Sequence, residues 1–202
     1  MDSSKLARVG GLAAILTGAF NAAQGIPALF DKNTADLNSP ADYLVEATLA
    51  ASQVALLIVL VALWRLHTGR DPQSYGLLGR IGFLVAFLGS VLVILKELLI
   101  LVVGAAFGSQ SVLAIEGVIE GLFIAGGLLL MVGLVLLGIA TLRARILPRW
   151  VGLALVLVLF VSAAFGSNGP YVELPLWLTI GYGFWSHART REPVRAQSAA
   201  VR

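Results

Sequence analysis

Apolar runs dominate the chain, separated by short polar segments rich in glycine, proline, serine and aspartate. A helix needs about 20 predominantly apolar residues to cross the hydrocarbon core of a bilayer. Six stretches reach or approach that length, at residues 6–30, 43–66, 77–107, 112–142, 150–165 and 172–187. The breaks carry turn chemistry: 31–42 with Pro40, Thr68-Gly69-Arg70-Asp71-Pro72, Gly108-Ser109-Gln110-Ser111, Pro148, and Ser167-Asn168-Gly169-Pro170. The pattern predicts an all-α polytopic membrane protein, a compact bundle of six transmembrane helices over residues 1–188. A polar, mobile cytoplasmic tail is expected over 189–202. Lys5 and Arg8 precede an apolar run as in a signal peptide, but no small-x-small cleavage site follows, so the run reads as a retained first span.

Composition narrows the chemistry. Of 202 residues, 58% are hydrophobic and 12% are charged, against about 25% charged in soluble domains. The absence of cysteine excludes disulfides, thiolate zinc sites and cysteine nucleophiles. His67 and His187 are the two histidines, too few for a multi-histidine metal site or a haem pair, and both fall at helix ends beside arginines, where they read as interfacial caps. The net charge of +3 is spread over short loops and the tail, so it reads as an orientation signal and not as a nucleic-acid surface. On alternating sides, one face collects Lys5, Arg8, Arg65, Arg70, Arg80, Arg143, Arg145, Arg149, Arg189, Arg191, Arg195 and Arg202, while the other has Lys32. Both termini are therefore expected in the cytoplasm. Trp64, Trp150 and Trp185 would lie at the inner interface, and Tyr43 and Tyr171 at the outer one.

Small residues recur every four positions at Gly10-Ala14-Gly18-Ala22, Gly82-Ala86-Ser90 and Gly117-Gly121-Ala125. Such stripes allow close helix packing in lipid, where apolar contact alone gives helices no reason to associate. The spans that begin on the arginine-rich side also open alike: Arg8-Val9-Gly10-Gly11-Leu12, Arg80-Ile81-Gly82-Phe83-Leu84 and Arg149-Trp150-Val151-Gly152-Leu153. This predicts three in–out–in hairpins related about the membrane normal, unless charge bias and abundant glycine produce the likeness by chance.

Ionisable groups within spans are costly and face a bundle interior or water. Here they share the outer half: Asn21 and Gln24 with Thr17 on the first span, Glu46 and Gln53 on the second, Lys96 and Glu97 on the third, Glu116 and Glu120 on the fourth, and Glu173 at the start of the sixth. Glu116 and Glu120 are four apart beside a glycine stripe and Glu97 continues the Gly82-Ala86-Ser90 face, so these carboxylates are expected to point at neighbouring helices. Lys96 is about 100° around the helix from Glu97 and should pair poorly with it. Its expected partners are Glu46, Glu116 or Glu120. The candidate ligand-binding set is thus Asn21, Gln24, Glu46, Gln53, Lys96, Glu97, Glu116 and Glu120. Two readings stay open: a structural ion pair with solvated glutamates around it, or an acidic cavity suited to protons or a cationic ligand.

The chain has no HExxH zinc motif, no EExxxR motif of glutamate intramembrane proteases, no Gly-x-Ser-x-Gly elbow and no phosphate loop. No catalytic set, metal site or cofactor is expected. The segments Ala7-Arg8-Val9-Gly10-Gly11-Leu12 and Leu147-Pro148-Arg149-Trp150-Val151-Gly152 resemble a family of small bacterial six-helix membrane proteins, the domain-of-unknown-function 4386 family. The resemblance implies that topology and a bacterial inner-membrane location, and it transfers no functional residue. The leading functional expectation is a transporter or sensor whose acidic outward-facing site takes a small cationic ligand, an ion or a proton. The alternative is a structural or accessory subunit that binds a partner membrane protein or a second copy. A membrane-embedded enzyme comes third.

Overall fold

The computed structural model describes residues 3–30, 40–69, 75–165 and 169–200, which are helical apart from the turns between elements and include no strand. The helices are α1 (Ser3–Phe30), α2 (Pro40–Thr68), α3 (Gly76–Phe107), α4 (Ser109–Ala114), α5 (Glu116–Ala144), α6 (Arg149–Phe165) and α7 (Gly169–Ala200). Among the described residues, four segments are long and apolar enough to cross a membrane: Ser3–Gln24, Asp42–Thr68, Gly76–Phe107 and Glu116–Ala144, with a shorter apolar stretch at Arg149–Val158. The predicted connections 31–39 with Lys32, 70–74 with Arg70, and 166–168 lie outside the described residues, as do the chain ends and the side chains of Arg191 and Arg195.

One predicted span is two elements. Residues 112–142 were expected as a single helix, but Gly108 turns the chain at φ 83°, the short α4 follows, and Ile115 leaves helical geometry at φ −112°, ψ 14° before α5 begins at Glu116. Glycine suits the first turn because positive φ clashes with a Cβ. At the other end of the chain, α7 continues through the polar segment as far as Ala200.

The six long helices close a ring in the order α1, α2, α3, α5, α6, α7, with α7 returning to α1. Close approach through small residues builds the ring. A Cβ on Gly10 would meet Ala62 of α2 at 2.7 Å and Phe184 of α7 at 2.8 Å, and one on Gly18 would meet Trp177 at 2.7 Å. A Cβ on Gly82 would meet the Leu137 backbone nitrogen at 2.8 Å, Gly133 abuts Ala86, and Gly138 faces Gly152 across the α5–α6 crossing. The three matching glycines Gly10, Gly82 and Gly152 therefore all sit at tight crossings. Leu60, Leu63, Leu134, Leu137, Leu155, Ile180 and Phe184 fill the interior. The opposite face of α3 carries Leu77, Ile81, Leu84, Leu88, Val91, Leu95, Leu98 and Val102, all exposed. A helix apolar all round, with one face packed and the other open, is a helix solvated by lipid.

The third predicted stripe does not pack. Nothing lies within 4 Å of a Cβ built on Gly117 or Gly121, and Ala125 is exposed. The seam of α5 against α3 runs instead through Gly126, Leu130, Gly133 and Leu137. Glu116 and Glu120 lie about 80–120° around the helix from Gly126, and both are exposed, contrary to the expectation that they face neighbouring helices. At its far end α5 stops on Arg145 in the left-handed conformation, φ 52°, whose N–H bonds the Thr141 carbonyl. A non-glycine residue there costs about 1–2 kcal/mol.

Candidate functional site

Two buried polar clusters lie toward the end of the ring where α2, α5 and α7 begin. In the first, α2 supplies Glu46 and α3 supplies Lys96 and Glu97. Lys96 Nζ donates to Glu46 Oε2 at 3.2 Å and to Glu97 Oε1 and Oε2 at 3.0 and 3.1 Å. The side chains of Glu46 and Lys96 keep 18% and 11% exposure, while Glu97 keeps none. The Glu97 contact corrects the expectation of poor pairing. The backbone vectors do diverge, but the four-carbon lysine stem folds back far enough to close the gap. The ammonium also stands 5.7 Å from the Phe123 ring centroid on α5. Glu116 and Glu120, being exposed on α5, take no part.

The first cluster continues inward. Gln53 lies seven residues from Glu46 on the same face of α2, and Ser90 seven from Glu97 on the same face of α3. Because the two helices run in opposite directions, both positions fall about 10 Å deeper than the ion pair. Gln53 Oε1 and Ser90 Oγ are buried and have no hydrogen-bond partner among the described residues. Buried polar groups are paired in most native structures, so two orphans at one level mark a polar layer.

The second cluster joins α1, α2 and α7. Asn21 Nδ2 donates to Glu173 Oε2 at 3.0 Å, and Trp177 Nε1 donates to the same oxygen at 3.2 Å. Ser52 donates to Asn21 Oδ1 and to the Thr17 carbonyl. Glu173 is buried beside the fully buried Trp177. Of the predicted site residues, Asn21 belongs here and not with the lysine, and Gln24, half-buried one turn further on, joins neither cluster among the described residues. The candidate set did not include Glu173, Ser52 or Trp177. A signal for Glu173 is present in the sequence: it begins the spacing Glu173, Trp177, Ile180, Phe184, which is the buried stripe of α7.

The opposite end is rich in arginine and aromatic rings. His67, in the last turn of α2, is fully buried: Nδ1 donates to the Leu63 carbonyl at 2.7 Å, and the ring stacks on Tyr75 at 4.1 Å. His187 of α7 is within electrostatic reach. Tyr75 caps α3 with its ring buried and its hydroxyl facing Thr141, and burial pushes that hydroxyl well above the ordinary phenol range. Trp64 stacks on Phe83 at 4.9 Å. Among the described residues no three His, Asp or Glu side chains are placed to hold a metal.

Apolar helices in a closed ring, with polar clusters inside it, define an all-helical membrane protein. No protein-family model, curated protein or solved structure matches the chain.

Proposed function

We propose that the chain crosses the bacterial inner membrane six times as three hairpins, with both termini cytoplasmic, and that Glu46, Lys96 and Glu97 form a site that binds or passes a proton or a small monovalent cation. The carrying observation is the sharing of one ammonium by two carboxylates, one of them fully buried. The set has one negative charge more than its internal pairing neutralises, and a proton or cation completes it. The partial exposure of Glu46 and Lys96 supports access from the glutamate-bearing side, and Gln53 and Ser90 supply polar groups on the way inward. A proton or a bare cation needs no large cavity.

Liposomes containing the purified protein and a trapped pH-sensitive dye test this under an imposed potential, with a sodium-sensitive dye in parallel. Flux above that of empty liposomes is expected, abolished by Glu97→Gln and retained by Glu120→Gln. No flux with either dye, together with no Glu97-dependent cation binding, removes the reading. One observation favours the accessory role in that event: around Gly117 and Gly121, α5 presents an uncovered face with exposed Val118 and Ile124 that fits a partner helix.

A further inference from the structure

A cavity of about 520 Å³ opens at the arginine end, between the last turn of α5 and the first turn of α6, lined by Leu142, Arg143, Arg145 and Arg149. The three arginines are exposed, and none is paired with a carboxylate among the described residues. The reason is the distribution of acids. The carboxylates whose side chains are described (Asp42, Glu46, Glu97, Glu116, Glu120 and Glu173) lie toward the other end of the ring. Among the described side chains, no carboxylate lies beside the three guanidinium groups around this concavity.

The concavity is built into the fold. The α5–α6 crossing beneath it is held by Gly138 against Gly152, each placed so that a Cβ would meet the other's carbonyl oxygen within 2.8 Å. The turn above it is fixed by Arg145 in the left-handed conformation, a position that glycine fills without strain. From that turn Arg145 lines the cavity together with Arg143 and Arg149. Trp150, next to Arg149, stacks on Tyr182 of α7 at 6.0 Å, an amphipathic pair of the kind found at the membrane–water boundary. On the proposed topology this puts the cavity at headgroup depth.

We propose that this cavity binds the phosphate of an anionic phospholipid headgroup. Guanidinium forks match phosphate oxygens two at a time, and basic recesses between transmembrane helices recognise anionic headgroups. The site holds the α5–α6 corner and stands independently of the cation reading at the opposite end.

The test is the thermal midpoint of the detergent-solubilised full chain. It is measured with short-chain phosphatidylglycerol, with phosphatidylcholine of the same chain length, and with inorganic phosphate alone. Phosphatidylglycerol should raise the midpoint by several degrees, and the other two should not. Arg143→Gln and Arg149→Gln should each lose most of that rise. Arg145→Gly preserves the left-handed turn while removing the charge, so it should fold and still lose the rise. Arg80→Gln, an equal loss of charge outside the cavity, should keep it. A rise of the same size with phosphatidylcholine, or an equal loss from Arg80→Gln, would overturn the proposal in favour of general surface charge. An equal rise with inorganic phosphate would overturn the lipid assignment and leave a site for the free ion.

Discussion

Replacing Lys96 with methionine removes the ammonium and keeps the length of the stem, so it isolates the charge. In the native protein that ammonium makes three hydrogen bonds of 3.0–3.2 Å to two carboxylates. Without it, Glu46 and the fully buried Glu97 face each other with no counter-charge. Breaking a buried ion pair typically costs about 3–5 kcal/mol. The 18% exposure of Glu46 gives one acid some access to water and places the expected loss near the lower end of that range. For a chain of this size 1 kcal/mol corresponds to roughly 2–4 °C in Tm. The Lys96→Met midpoint should therefore fall on the order of 6–12 °C, followed by tryptophan fluorescence in detergent. Adding Glu97→Leu removes the stranded acid and should restore much of the loss. Contacting residues of this kind couple by about 0.5–3 kcal/mol. If Lys96→Met and Glu97→Leu simply add to within about 0.5 kcal/mol, the three side chains do not act as a unit and the shared-ammonium argument is wrong.

Gly133→Leu should destabilise by more than the 1–3 kcal/mol usual for overpacking, because the new side chain meets the Ala86 backbone, whereas Gly117→Leu points into open space and should leave the melting curve unshifted or slightly raised. Asn21→Leu leaves Glu173 without its amide donor and should cost about 1–3 kcal/mol, and a simultaneous Glu173→Leu should recover part of it in the same assay. Tyr75 is buried with its phenol held neutral, so its folded-state pKa lies above the unfolded value of about 10. Its contribution is fully present below that pH and is lost as pH rises above it, so Tyr75→Phe should flatten the alkaline decline of Tm. In the naturally cysteine-free chain, Gln110→Cys should label with a membrane-impermeant maleimide from outside the cell and Arg80→Cys only after permeabilisation; the reverse pattern would invert the proposed orientation.

Local patterns made the long helices legible. The predicted first, second, third and fifth spans match α1, α2, α3 and α6 to within a few residues, because an apolar run must satisfy its own backbone hydrogen bonds and a helix does so without help from distant residues. The tight roles of Gly10, Gly18 and Gly82 were also visible, since small residues at four-residue spacing mark a contact face whatever the partner is. Shared depth and opposite charge named Glu46, Glu116 or Glu120 as partners of Lys96, and the structure selects Glu46.

The partner on each face is a different kind of fact. The Gly117–Gly121 stripe has the same spacing as the others, yet no helix comes near it, because α5 meets α3 through Gly126 and Gly133 further along. Glu116 and Glu120 went outward with that choice of seam. Lys96 reaches Glu97 through side-chain torsions that helical periodicity does not contain. Glu173 became a buried acceptor for Asn21 and Trp177 only because α7 closes the ring onto α1. His67 is fully buried with the Tyr75 ring, eight residues later in the chain, stacked on it. A single chain encodes which residues are apolar, small or charged and at what helical phase. Contacts between residues dozens to more than a hundred positions apart depend on how the helices settle against one another. There, close packing of small residues, and not apolar burial, selects the neighbours.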